Sequence, residues 1–402
     1  MATSKSIDQV SIDRNLLAAR LDGQLLADHN MQTPLSIVQK MGAIQAQHFD
    51  MAKWAIGARL CGCSGTDHAP ANTNQKLIPP TINDIYKAME KGEIVRTHVL
   101  RPTWHIVAGQ DLLWTLQLTA PAIKGALFSR DKKLGIVEKE YVKSDEAIQR
   151  ILEDQPALNR RDLITALSEY GFAMDEYRSN HYIMHAELNG IICSGPVKDD
   201  KHTYALAENV LGKHYAKAIL LKDKLQGDAA VIELAKRYFT TRGPATLQDF
   251  AWWSGLGMTV IKKAVTALGK SIERLQQGDS VFYQVPAIKT GAVKEENDSG
   301  LQLLPAFDEY LISYKDRSRM LPTKYNSQII TVNGLFRPAI IKQGRVIGGW
   351  QVDKGKHGCK ITLMPFESIK VAEKKKMQAM AEVAASIYCG FRQTSLEKVI
   401  FA

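Results

Sequence analysis

The chain has 402 residues, 45% of them hydrophobic and 23% charged, with a formal net charge of +10. That content supports real cores and excludes a disordered chain, and no apolar run is long enough to span a bilayer. Length alone suggests roughly two to four folded units.

The polar start, Met1 to Asp8, lacks an apolar signal core, so a cytoplasmic protein is expected. Five cysteines at irregular spacing argue against a disulfide framework. The Cys61-Gly62-Cys63 pair, with His68 nearby, has no second ligand pair at zinc spacing, so no metal is expected. The excess of 52 Lys and Arg over 42 Asp and Glu favours a polyanionic partner.

In chain order, Ile12 to Leu21 and Pro34 to Met41 read as helices, the second with Thr33 as cap and proline in its first turn. The run Gly42-Ala43-Ile44-Gln45-Ala46-Gln47 follows. In an extended segment residues two apart point to one side, so Gln45 and Gln47 could present both amides to a water or a sugar. As a plain alternative they are turn or surface glutamines. Asp50 can cap a helix over Met51 to Leu60, which leaves it and His48 as rivals for a base role. After the loop Cys61 to Pro80, Thr81 and Asp84 have capping-box spacing before a helix that ends at Gly92. Ile94 to Val107 reads as strand, turn, strand and carries Arg96, His98, Arg101 and His105. A hairpin of that composition suits phosphate contact or lesion probing, or is a structural wing with a satisfied His105.

The same order recurs. Asp145 to Asp154 reads as a helix, Asn159 caps the next, Ser179 to Asn189 makes a third, and 191–196 with 202–206 make a hairpin. At its tip, Lys198, Lys201 and His202 read as phosphate contacts or solvated charges. Asp228 to Thr241, a Thr246-capped helix stopping at Gly255, Thr259 to Leu268 and the 271–275/280–285 hairpin repeat the pattern. The Trp252-Trp253 pair reads as core filling. A polar linker, Gly291 to Ser299, precedes strand-rich stretches at 300–312, 328–342 and 345–352 and a closing helix over 367–388. Lys315, Arg317 and Arg319 form a positive cluster there, which Asp308 and Asp316 could pair within the fold.

Three helices plus a hairpin is the winged-helix form of the helix-turn-helix module. The expected fold class is therefore mainly α (α+β). Tandem winged-helix units at 10–140, 141–225 and 226–290 would precede a β-rich domain at 300–395.

Several segments together resemble one family: Gly42 to Gln47, Arg96-Thr97 with Arg101 to Val107, Leu303 to Tyr310, Tyr314 to Ser318, Asn333 to Pro338 and Gly348-Gly349-Trp350. Their order and spacing resemble the winged-helix DNA glycosylases of the AlkZ-like and YcaQ-like group, over about residues 10 to 395. The resemblance implies excision of alkylated bases and unhooking of interstrand crosslinks. Its Gln–apolar–Gln signature maps onto Gln45, Ala46 and Gln47. The family commonly has Arg-Gly-Thr where this chain has Arg101-Pro102-Thr103, and proline removes a donor and fixes φ.

Two amides can orient water and stabilise charge on a sugar, but they are not strong bases. They suit bases already cationic through ring-nitrogen alkylation. The favoured function is a monofunctional DNA glycosylase with catalytic Gln45 and Gln47. Its DNA contacts would come from Arg96, His98, Arg101, His105, Lys198, Lys201, Lys315, Arg317 and Arg319. The expected partner is damaged double-stranded DNA, with no cofactor, membrane or obligate protein partner, and the chain is expected to be a monomer. A non-catalytic DNA-binding protein or transcriptional regulator is the alternative, and a scaffold without DNA affinity a third reading.

Overall fold

In this computed structural model the described residues are 7–27, 31–60, 79–197, 202–286 and 300–402. Cys61, Cys63, His68, Lys198, Lys201 and the 291–299 linker lie outside them. Among the described residues, no helix is long and apolar enough to cross a membrane.

The first unit runs α1 (Ile7–Gly23), α2 (Pro34–Met41), β1 (Ile44–Gln45), α3 (Phe49–Leu60), α4 (Ile82–Glu90), β2 (Ile94–His98) and β3 (Trp104–Ala108). Helix α2 buries Pro34, Ile37, Val38 and Met41, one stripe at helical spacing. Thr33 and Ser36 close its capping box, and Gly42 ends it at φ 75°, a conformation that favours glycine. Helix α5 (Leu112–Leu134), absent from the sequence reading, leads to the second unit. That unit is α6 (Glu138–Asp154), β4 (Leu158–Asn159), α7 (Arg160–Glu169), α8 (Glu176–Leu188), β5 (Ile192–Ser194) and β6 (Thr203–Leu206). Helices α9 (Ala207–Leu211) and α10 (Tyr215–Lys224) connect it to α11 (Asp228–Thr241), α12 (Leu247–Ser254), α13 (Met258–Leu268), β7 (Glu273–Gln277) and β8 (Ser280–Gln284).

The first two units each add a short strand paired with the hairpin, between α2 and α3 in the first and between α6 and α7 in the second. The sheet orders are β1-β3-β2 and β4-β6-β5, and in the third unit a single bridge from Ala245 to Tyr283 takes that place. These short strands lie just before the next helix, α3 in the first unit and α7 in the second. Asn159 and Thr246 cap α7 and α12 as expected from sequence. Asp50 does not cap α3: the helix begins at Phe49, and His48 Nδ1 accepts from Met51 N at 3.3 Å. Asp50 instead pairs with Lys53 at 2.7 Å.

The C-terminal part is β9 (Gln302–Leu304), α14 (Glu309–Ile312), α15 (Asn326–Ile329), β10 (Ala339–Lys342), β11 (Arg345–Lys354), β12 (Cys359–Pro365), α16 (Val371–Phe391) and β13 (Leu396–Phe401). Its sheet order is β13-β12-β11-β10-β9, antiparallel except for the β12–β13 pair. Residues 309–312, expected within a strand, form α14, because Asp308 caps it through Tyr310 N at 2.8 Å.

Four clusters of buried apolar side chains hold the described residues together. One links Leu16, Trp114, Tyr238, Trp253 and Tyr310 across the first unit, α5, α11, α12 and α14. A second packs Ile37, Trp54 and Ile85 against Trp350 and Tyr388 of the C-terminal part. Trp54 also donates Nε1–H to Leu303 O at 2.6 Å, so Trp54→Ala would cost roughly 3–5 kcal/mol. The second unit has its own core around Ile148, Leu163, Ile183 and Ile192, with Trp104 of the first unit packed against it, and a small cluster of Ile136, Tyr141 and Tyr182, while its Leu188 and Cys193 join the first core. Polar bonds from Arg96 N to Ser194 and from His98 to Glu187 also tie it to the first unit, and a cleft opens along that border.

Candidate active site

The Gln45–Gln47 motif is the turn that carries the chain from β1 to α3. Its backbone is bonded throughout. Gln45 N donates to Glu309 Oε1 at 2.8 Å, Ala46 N donates to Trp104 O at 2.7 Å, and Arg96 Nε donates to Ala46 O at 3.1 Å. Gln47 N donates to the Gln45 side-chain oxygen at 3.1 Å. The two glutamines therefore differ. Gln45 is 3% exposed and braces the turn, whereas Gln47 is exposed and opens into the cleft. The expectation that both amides face one object is corrected here. Strand β1 is only two residues long, and the alternation of an extended chain ends at Gln45.

Glu309 is the support beneath the motif. Its other oxygen accepts from Arg242 at 2.7 Å, Trp253 Nε1 at 2.9 Å and Ser313 Oγ at 2.6 Å. Burial alone would raise its carboxyl. Arg242 and Ser313 outweigh burial and hold it at about 2. Arg242 also donates to Met41 O and Ala43 O, just before the motif. Asp308 pairs both its oxygens with Arg59, at 2.8 and 2.9 Å, not with Arg317 or Arg319.

The cleft has a volume of about 480 Å³. The first unit lines it with Gln47, Arg96, His98, Pro102 and Trp104. The second contributes Arg160, Asn180, Ile183, Met184, His202 and Tyr204. Arg96 lies 3.8 Å over the Trp104 ring, and burial lowers its guanidinium to about 10, which leaves it charged at neutral pH. His98 Nδ1 donates to Glu187 Oε2 at 2.6 Å, and burial pushes that carboxyl above its usual range against the pull of His98 and Arg96. With the Arg96 N to Ser194 Oγ bond at 2.7 Å, this contact joins β2 to the second unit.

His105 sits opposite Gln45 in the β1–β3 register and is buried. Its Nδ1–H donates to Thr103 O at 3.0 Å. Burial lowers it to about 4, so the ring is neutral and enclosed in the hairpin, which does not suit contact with a phosphate. Pro102 is exposed at the hairpin tip, where a missing N–H leaves no ladder bond unmade; Leu100, at φ 67°, makes the bend.

Arg101 and Arg317 meet elsewhere, beside Trp252. Their guanidinium carbons lie 5.6 and 5.3 Å from its ring centre. Trp252 is 40% exposed, not core; only Trp253, at 1%, fills the interior. Arg101 Nε and Arg317 Nη2 are buried without partners, and burial lowers Arg317 to about 10. Lys315 is exposed and donates to Gln248 at 3.2 Å. Arg319 is bound to Asp13, away from that pair. His202 overturns its reading as a solvated or phosphate-facing charge: both ring nitrogens are buried, and burial holds it well below the usual histidine range. Among the described residues, no three His, Cys, Asp or Glu side chains gather to hold a metal ion.

Sequence reading quoted Glu309 only within the Leu303 to Tyr310 segment and assigned it no role, and it missed Arg242 and Glu187, which reach the site from distant segments and carry no local signal. Tyr204 was hidden in an ordinary strand pattern.

A sequence model of the AlkZ-like DNA glycosylase family matches residues 38–387. A Streptomyces sahachiroi interstrand DNA cross-link repair glycosylase is 23% identical over 354 residues, covering 84% of this chain and 87% of the relative. The solved structure of Streptomyces sahachiroi DNA glycosylase AlkZ matches with a TM-score of 0.71 at 20% identity, over 97% of this chain and 99% of that one. That structural likeness shows a shared mixed helix-and-strand fold. The family match covers most of the chain, including the turn between β1 and α3, and so this protein belongs to the AlkZ-like DNA glycosylases.

Proposed function

We propose that this protein is a monofunctional DNA glycosylase that hydrolyses the N-glycosidic bond of alkylated purines or interstrand crosslinks. It acts as a cytoplasmic monomer on double-stranded DNA, and its helix-and-hairpin units serve as winged-helix modules. The observation that carries the reading is Gln47, held at the cleft by a turn whose backbone bonds are fixed by Glu309, Trp104 and Arg96.

The Gln47 amide oxygen orients a water toward C1′ of the deoxyribose and lies against the positive charge that develops on the sugar. The water oxygen forms a bond to C1′, and its proton passes to solvent. The C1′–N9 bond breaks, and its electron pair neutralises the alkylated, cationic ring of the departing purine. Gln45 acts as a positioning residue through Gln47 N. Neither amide is a strong base, which restricts the enzyme to bases that leave without protonation. Arg96 at the cleft, with Arg101, Arg317 and Lys315 around Trp252, contacts backbone phosphates.

The test is release of N7-methylguanine from duplex DNA, read as alkali-labile breaks. Wild type leaves breaks, and Gln47→Ala does not. Binding to a preferred sequence with no breaks would instead identify a non-catalytic regulator.

A further inference from the structure

The border cleft holds a polar group that the hydrolytic step does not use. His202, one residue before β6, has both Nδ1 and Nε2 shielded from solvent with no hydrogen-bond partner. Its ring is wedged edge-on between Tyr204 at 4.7 Å and Trp104 at 5.1 Å. A buried polar atom without a partner is uncommon in a folded protein and calls for an explanation, such as strain, a chemical role, or a water or ion that meets it. Here two such atoms share one ring on the wall of the cleft that Gln47 enters.

Charge decides what the ring can meet. Burial, with Arg96 and His98 nearby, keeps it neutral. A neutral imidazole carries one N–H donor and one bare acceptor nitrogen, whichever tautomer is present. It therefore suits a flat group with donors and acceptors along its rim, and it is a poor partner for a phosphate, which needs donors only. Purines have that rim: O6 beside N1–H in guanine, N6–H beside N1 in adenine. The apolar sides of Ile183, Met184 and Tyr204 and the cleft's volume of about 480 Å³ suit a planar heterocycle.

We propose that His202 is a specificity-determining residue that binds the purine being removed, through a ring nitrogen, while Gln47 serves the sugar. This rests on the glycosylase reading for the identity of the ligand. In it the two units divide the substrate: the first supplies the water-orienting amide and the second reads the base.

The test compares wild type with His202→Phe, which keeps an aromatic ring but removes both nitrogens, and with His202→Gln, which restores a donor and an acceptor. Single-turnover release of N7-methylguanine from duplex DNA is expected to fall about tenfold or more in H202F and to recover largely in H202Q. Binding to duplex DNA with an abasic-site analogue, which has no base to read, is expected to stay within twofold in all three proteins, on the order of experimental scatter. Free 7-methylguanine, titrated at millimolar concentration and read by saturation-transfer NMR, is expected to bind wild type and not H202F. Equal release by H202F and wild type overturns the proposal. So does parallel loss of abasic-DNA binding, which would mark a structural role, or absence of 7-methylguanine binding to wild type. Base binding without release would sink the glycosylase reading and leave this site standing.

Discussion

The first and second units share a plan, a short strand that pairs with the hairpin and then the next helix, but they spend that junction differently. In the second unit Asn159 ends β4 and caps α7, which begins at the next residue. In the first, β1 ends at Gln45 and α3 begins at Phe49, so Ala46, Gln47 and His48 intervene. Those residues carry the Gln47 side chain out of the sheet and hand the capping role to His48. The difference teaches how one helix-and-hairpin frame can carry an exposed side chain at a cleft: the frame stays, and a lengthened junction, braced from outside, holds Gln47.

The brace is the part most easily broken. Glu309→Ala would leave Arg242 and Gln45 N buried without their carboxylate, at a loss of about 3–5 kcal/mol measured by urea or thermal unfolding. The acid branch gives a second readout. The Glu309 carboxyl lies near 2 in the folded protein, against 4.5 for a free side chain. A depressed carboxyl contributes fully above the unfolded value and loses that contribution as pH falls toward the folded one. Stability should therefore fall between pH values of about 4.5 and 2, and Glu309→Gln should flatten that share of the fall.

Gln47→Ala comes next. Loss of one preorganised polar group aimed at developing charge should slow N7-methylguanine release about 100-fold or more, with little change in melting temperature. Gln45→Ala should slow release and also soften the turn, because its side chain holds Gln47 N. If Gln45→Ala lost all release while Gln47→Ala lost none, the roles assigned to the two amides would be reversed.

The sequence showed the frame well and the brace poorly, for a physical reason. Helices α2, α7, α11 and α12 announce themselves through caps and apolar stripes, which are local. The hairpin strands are local too. By contrast, Glu309 lies 264 residues from Gln45, and Arg242 lies 199 from Ala43, so no spacing rule connects them. The alternation argument for Gln45 and Gln47 failed because it assumed a strand long enough to continue. His202 was misread because a polar residue near a hairpin tip is usually solvated, and the first unit, through Trp104 and Phe49, closes over it from distant sequence.

The basic surface can be separated from the cleft. Arg101→Ala with Arg317→Ala should weaken duplex binding uniformly and reduce the salt slope by about two phosphate contacts. Bound-substrate turnover should be unchanged, since neither arginine lines the cleft. An unchanged salt slope would remove the Trp252 surface from DNA contact.

The smallest expected effect returns to the junction itself. Asn159 Oδ1 accepts from Asp162 N at 3.1 Å, which satisfies one of the free N–H groups at the start of α7. Asn159→Ala should therefore cost about 1 kcal/mol of stability, seen as a small shift in urea midpoint. It should not alter release of N7-methylguanine, because the position that holds the motif in the first unit holds only a cap in the second. If Asn159→Ala slowed release as Gln47→Ala does, the two junctions would be working as one site across the cleft, and the second unit would be an active partner in bond cleavage instead of the frame that positions the base.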